Sequence, residues 1–176
     1  MVGGGYKMVS GVEPFFKGVF MNKRLRERSA GMVDISGKGV TARLAVASGS
    51  IVMSKKAFTL LLSSGSPKGD VFETAKVAAI LAAKSTPAII PLCHPLILNK
   101  VNIAFETDEK IPMITVIAEI RSEGKTGVEM EALTAVAAAV LTIYDMMKWA
   151  DKAMVICDIK LLEKRGGKSG DFKRRL

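Results

Sequence analysis

Histidine, cysteine and aromatic residues are all scarce in this 176-residue chain, which has one His, two Cys, one Trp and 6% aromatics. A structural zinc site draws about four nitrogen or sulfur ligands, so His94, Cys93 and Cys157 can hardly furnish one within a single chain. The two cysteines have no C-x-x-C spacing and read as reduced, core-type thiols of a cytoplasmic protein. Long apolar runs are absent too. The most apolar stretch, Ala132 to Tyr144, is interrupted by Thr134 and Thr142 and falls short of the roughly 20 residues of a membrane span. Phe15, Phe16, Val19 and Phe20 do not make a run of signal-peptide length. At 24% charged and 49% hydrophobic, the composition is neither that of a disordered chain nor of a fibrous one. One well-cored domain is expected.

The net charge of +9 is confined to the ends: residues 1–30 carry +4, residues 160–176 carry +5, and residues 31–159 sum to zero. A duplex-binding domain is expected to carry its basic surface on the fold itself. Nucleic acid is therefore not the expected partner, and no membrane is either. Residues 1–31 read as a flexible basic extension, and residues 32–176 as a single domain with a short basic C-terminal tail.

Along that domain, the β-rich run Thr41 to Ser54 predicts a strand with a bulge or bend at Gly49. KKAFTLLLSSG predicts a short helix ending at Gly65. After the turn SPKG, Asp70 is placed to cap a second helix with Val71, Ala75, Ala78 or Ala79, and Ala82 on its apolar face, stopping before Pro87. Asn99 to Thr107 and Ile111 to Ser122 predict an antiparallel hairpin. Val128 to Trp149 predicts a long alanine-rich helix, and Ala153 to Leu162 a last strand. This order predicts an α+β fold of the ferredoxin-like split βαβ type, an antiparallel sheet with helices on one face.

Several local patterns bear on chemistry. Gly124-Lys125-Thr126 and Gly167-Lys168-Ser169 resemble the end of a phosphate loop, but the required earlier glycine is Glu119 or Leu162, so both fail the spacing and read as turns. In Pro91-Leu92-Cys93-His94-Pro95 the second proline holds the segment extended or turned. His94 is then either a satisfied structural residue or a reactive one in a rigid loop. Adjacent Cys93 and His94 point to opposite sides, so Cys93 is not expected to be a nucleophile. Glu129, Met130 and Glu131 open the long helix, compensating its dipole or framing a ligand at exposed backbone N–H groups. Asp145 and Lys148, three apart, share a face as a surface ion pair or a reactive one. Met130 and Lys148 share a face five turns and about 27 Å apart. No small-molecule pocket on one subunit reaches both, so a site using both ends is built from two chains.

The runs MVDISGKGVTAR (Met32 to Arg43), KGDVFETAK (Lys68 to Lys76), IPLCHPLIL (Ile90 to Leu98), GKTGVEMEALTA (Gly124 to Ala135), LTIYDMMK (Leu141 to Lys148) and GGKSGDF (Gly166 to Phe172) together resemble the cyclic pyranopterin monophosphate synthases, the MoaC family. The resemblance implies a lyase of molybdenum cofactor biosynthesis. It would convert 3',8-cyclo-7,8-dihydroguanosine 5'-triphosphate to cyclic pyranopterin monophosphate with release of pyrophosphate. It also implies a homohexamer, a trimer of dimers, with active sites between subunits. The implied catalytic residues are Asp145, Lys148, Lys68 and His94. Arg43, Lys38, Lys164, Leu92, Cys93, His94, Met130, Glu131 and Glu129 would bind substrate. Lys68 is expected to approach Lys148 across an interface and lower its proton affinity. No resident cofactor is expected, and magnesium only as a companion of the triphosphate. Against this stand an RNA-binding ferredoxin-like module, for which the central strands offer only Phe105 as a stacking surface, and a regulatory ligand-binding domain without chemistry.

Overall fold

The computed structural model describes residues 31–175; the N-terminal extension expected over residues 1–31 therefore lies outside the described residues except for Gly31. The order is β1 (Thr41–Val52), α1 (Lys55–Ser64), α2 (Val71–Lys84), α3 (Thr86–Ile89), β2 (Leu98–Asp108), β3 (Met113–Gly124), α4 (Glu129–Met147), β4 (Val155–Arg165) and β5 (Phe172–Lys173). One antiparallel sheet forms in the order β2-β3-β1-β4-β5. The first four of these strands have the ferredoxin-like arrangement.

Local signals start and stop the helices. Ser54 caps α1 by accepting a hydrogen bond from the Ala57 N–H at 3.3 Å, and Asp70 caps α2 by accepting from the Glu73 N–H at 2.9 Å. Side-chain capping satisfies donors that the helix itself leaves unpaired. Gly65 ends α1 at φ 69°. The α2 stripe that turns inward is Val71, Ala75, Ala79 and Ala83; Ala83, not Ala82, completes it, because each step of four residues advances only about 40° around the axis and the stripe winds slowly along the helix. Pro87 does not merely stop a helix. Occupying the first turn of α3, where a missing N–H costs nothing, it starts a new one.

β3 alternates as a half-buried strand does, whereas β1 in the middle of the sheet is buried without a break from Ala47 to Ile51. Ile114, Val116, Ala118 and Ile120 on β3 and Ala45, Ala47 and Ile51 on β1 are buried beneath α4, which contributes Ala132, Ala135, Val136, Ala139, Val140 and Ile143. Burying each larger aliphatic side chain here stabilises the fold by about 1.5–3 kcal/mol. Although α4 has the length and apolarity of a membrane span, most of it is buried within the domain, as suits a core helix. Phe105, the one aromatic of β2 and β3, meets Phe72 of α2 edge-on at 5.0 Å between centroids. This leaves the two long strands without a stacking platform for bases.

Gly49 does mark an irregularity, but the extra residue belongs to β4. Ser48 pairs with Lys160 and Ser50 with Cys157, so Gly49 faces both Asp158 and Ile159. Asp158 takes the left-handed conformation at φ 57°, as a bulge residue can. The C-terminal tail differs from expectation as well. Phe172 and Lys173 return along β4 as β5, pairing with Lys164 and Glu163. The cysteines are free thiols, as expected, but only half-buried rather than in the core.

Candidate active site

At the carboxyl end of α4, one carboxylate holds two lysines. Lys148 Nζ is 2.7 Å from Asp145 Oδ1, and Lys68 Nζ is 2.6 Å from Asp145 Oδ2. Lys68 arrives there through its turn. Ser66 and Gly69 exchange backbone hydrogen bonds around Pro67 and Lys68, with Gly69 at φ 112°. The Ser66 hydroxyl donates to the Met146 carbonyl at 2.7 Å and accepts from the Lys68 N–H at 3.2 Å. The turn is thereby fastened to the end of α4. Lys68 needs no interface to reach this cluster; it approaches Lys148 within the same chain, with the carboxylate between them.

That arrangement also reverses the expected effect on Lys148. The hydrogen bonds from Lys148 and Lys68 hold Asp145 down at about 2, while the hydrogen bond to Asp145 raises the proton affinity of Lys148. Opposite charge favours the charged form of each partner. Within one chain Lys148 is thus a firmly protonated ammonium, and Asp145 is better suited to aim two cations than to accept a proton.

At the amino end of α4 lies a cleft of about 370 Å³, lined among others by Lys38, Arg43, Lys125, Lys164, Lys168 and Glu129. Among the described residues five cations converge there with one carboxylate, and a ligand carrying several negative charges relieves their mutual repulsion. Arg43 Nε donates to the Gly124 carbonyl at 3.2 Å, and Lys125 Nζ to the Ser36 carbonyl at 2.9 Å. Lys164 Nζ lies 3.8 Å from Glu129 Oε1 and donates to Ser169 Oγ at 2.8 Å. Glu129 folds back over Gly127, where a Cβ would collide with its carboxylate.

The Leu92–Pro95 loop stands near the same end. Glu131 is only 3% exposed, and burial, followed by the charge of Glu129, pushes its carboxyl upward. Burial and then the charge of Glu131 push the Cys93 thiol up as well. A thiol so placed is a poor nucleophile, in keeping with its reading from sequence. Asp34 accepts a hydrogen bond from the Ser36 N–H at 2.8 Å. That bond first, and the charges of Lys125 and His94 further, hold its carboxyl low. His94 is half-buried, whereas Leu92 is 52% and Met130 36% exposed.

The expected site residues therefore fall at opposite ends of one helix: Lys38, Arg43, Glu129 and Lys164 in the cleft, with His94, Cys93 and Glu131 at the same end, and Lys68, Asp145 and Lys148 at the other. Asp34, Lys125, Lys168 and Ser169 carry no assignment from sequence. The only signals for them were the turns themselves, the two Gly-Lys-Thr/Ser segments and the Asp-x-Ser of the first matching run.

Fold and charge together define an α+β protein with a polycationic cleft suited to a multiply charged small molecule. The MoaC family model matches residues 32–167, and the chain belongs to the MoaC family. It is 54% identical over 144 residues to a cyclic pyranopterin monophosphate synthase of Methylobacterium sp. (strain 4-46), covering 82% of this chain and 90% of that protein. It is 52% identical over 147 residues to a cyclic pyranopterin monophosphate synthase of Nocardioides sp. (strain ATCC BAA-499 / JS614), covering 83% of this chain and 90% of that one.

Proposed function

We propose that this chain is a cyclic pyranopterin monophosphate synthase, a lyase of molybdenum cofactor biosynthesis. It converts 3',8-cyclo-7,8-dihydroguanosine 5'-triphosphate to cyclic pyranopterin monophosphate and releases pyrophosphate. The observation that carries this reading is the likeness to two synthases over more than four fifths of the chain; the cationic cleft and the lysine–carboxylate–lysine cluster supply what the reaction needs. Arg43, Lys38 and Lys164 grip the triphosphate, with Arg43 suited to a two-pronged phosphate contact. They stabilise the charge that develops as pyrophosphate leaves. His94 contacts the phosphates or the leaving group, and Leu92, Cys93, Met130 and Glu131 line the base-binding part, supported by Glu129. Lys148 and Lys68 deliver protons during ring opening and closure, oriented by Asp145.

The two charged groups lie too far apart on α4 to share one ligand, Glu129 and Asp145 being about 24 Å apart along the helix. A complete site thus takes the amino end of α4 from one subunit and the carboxyl end from another, in a homohexamer built as a trimer of dimers. Apolar surface left to water by a single chain supports such assembly: Ile97 is 86%, Leu141 59%, Leu81 58% and Trp149 52% exposed. The enzyme works in the cytoplasm without a resident cofactor, magnesium entering only with the triphosphate.

The test is single-turnover conversion of the cyclised substrate by the purified protein, following pyrophosphate and the oxidised fluorescent pterin. Asp145→Asn and Lys148→Ala should each lose turnover with the oligomer intact. Mixing Arg43→Ala with Asp145→Asn subunits should restore part of it, because some interfaces then pair two unaltered ends. Wild-type turnover by Lys148→Ala would remove that residue from the mechanism. Lack of recovery in verified mixed oligomers would remove the shared site.

A further inference from the structure

The turn from Gly166 to Gly170 touches two of the cleft's cations in two different ways. Gly167 stands at φ +91°, and a Cβ there would overlap Arg43 Nη1 and lie 2.9 Å from Cζ. The guanidinium passes directly over the Gly167 peptide, whose φ disfavours any side chain there, while its Nε is tied to the Gly124 carbonyl at 3.2 Å. Ser169, two residues on, accepts the hydrogen bond of Lys164 Nζ at 2.8 Å. The turn itself is well fastened. The Gly166 N–H donates to Asp171 Oδ1 at 2.9 Å, the Gly170 N–H to the Gly167 carbonyl at 3.1 Å, and the Arg174 N–H to the Leu162 carbonyl at 2.8 Å beside β5.

We infer that Gly167 and Ser169 are positioning residues for the anion cleft, Gly167 seating the Arg43 guanidinium and Ser169 aiming the Lys164 ammonium. A free arginine or lysine side chain surrenders much of its rotamer entropy when it grips a ligand. Side chains already confined by the turn lose less of it on binding, and the ligand meets a cleft organised in advance. Neither residue touches the reacting atoms; each acts through its cation. The inference rests on reading the cleft as the seat of the substrate's phosphates.

Inorganic pyrophosphate is the probe, titrated calorimetrically into the full-length protein. Arg43→Ala and Gly167→Ala should each weaken binding about tenfold, yet Gly167→Ala should add less than about twofold in the Arg43→Ala background, since coupled residues are not additive. Ser169→Ala should weaken binding about threefold and add nothing in a Lys164→Met background, while Ser169→Thr, which retains the hydroxyl, should keep wild-type affinity. A merely structural role would reduce binding equally in both backgrounds, and such additivity overturns the inference. So does unchanged binding by Gly167→Ala and Ser169→Ala, or no binding by the unaltered protein. If Gly167→Ala does not fold, the Ser169–Lys164 cycle decides alone, because it removes one hydroxyl from an exposed turn. Turnover measured on the same samples separates the two readings: coupled pyrophosphate binding without any synthase turnover sinks the activity and leaves the positioning in place.

Discussion

A single methyl group at Gly49 tests how α4 is seated. An ideal Cβ there would lie 2.5 Å from Val136 Cγ1 and 3.0 Å from Ile159 Cγ1. Ile159 is 43% exposed and has room to yield, whereas Val136 is fully buried in α4. The clash must therefore be taken up by a core side chain or by the helix. Overpacking of this kind costs about 1–3 kcal/mol. For a domain of this size that lowers Tm by about 2–4 °C per kcal/mol, so Gly49→Ala should melt about 4–8 °C lower at the middle of that range. Val136→Ala alone forfeits two buried methyl groups, about 2 kcal/mol with its cavity. In that background the new methyl partly fills the space vacated, so Gly49→Ala should cost less than about 0.5 kcal/mol, giving a coupling of about 1–2 kcal/mol. Urea unfolding of the four proteins at one protomer concentration measures it, the fixed concentration removing any contribution from assembly. Equal losses in both backgrounds would refute the close approach of α4 to β1. Because α4 carries both Glu129 and Asp145, displacement of the helix should also lower turnover in Gly49→Ala more than its loss of stability explains.

Asp145, whose folded value of about 2 lies below the ordinary 3.8, contributes stability that is present above about pH 4 and lost as pH falls through 2. Carbon-13 NMR of protein labelled at aspartate Cγ should show the Asp145 resonance, identified by its loss in Asp145→Asn, still that of an ionised carboxyl at pH 3, and a midpoint at or above 3.8 would contradict the paired cluster. Glu131 has the opposite sign: its raised carboxyl favours the fold fully below pH 4.5, and that contribution is lost as pH rises through its higher folded value. Glu131→Gln should therefore raise Tm at pH 7 and leave it nearly unchanged at pH 4, whereas a lower Tm at pH 7 would mean that the carboxylate is favourably held. Asp70→Ala removes the α2 cap and should cost about 1 kcal/mol, read as a shift in the urea midpoint. No shift would mean that solvent serves the Glu73 N–H equally well.

Much of the fold is legible in the sequence because its signals are local. Asp70 three residues before Glu73, Gly65 after a run of helix formers, and alternation through Ile114, Val116, Ala118 and Ile120 each concern neighbours within one or two turns. Half of the candidate site was readable for the same reason: Asp145 and Lys148 are neighbours on any α-helix, and the helix length alone separates them from Glu129. The matching runs added the names of residues that no periodicity selects, such as Lys68 and Lys38.

The rest depended on chain segments distant in sequence. Only packing brings the Ser66 hydroxyl to the Met146 carbonyl and so puts Lys68 on Asp145 within one chain. The proton affinity of Lys148 is raised all the same, not lowered, by Asp145, its neighbour on the helix. The tail becomes β5 only because Leu162 to Lys164 offer it an open edge, and Lys125 and Lys168 become cleft residues only because the turns after β3 and β4 meet at the same end of the sheet. Sequence by itself determined the elements, their order and the chemistry available, since backbone preferences and side-chain spacing act over a few residues. Tertiary structure decided which charges face one another, because electrostatic partnership depends on distance in space and on burial, and the chain reaches those only by folding.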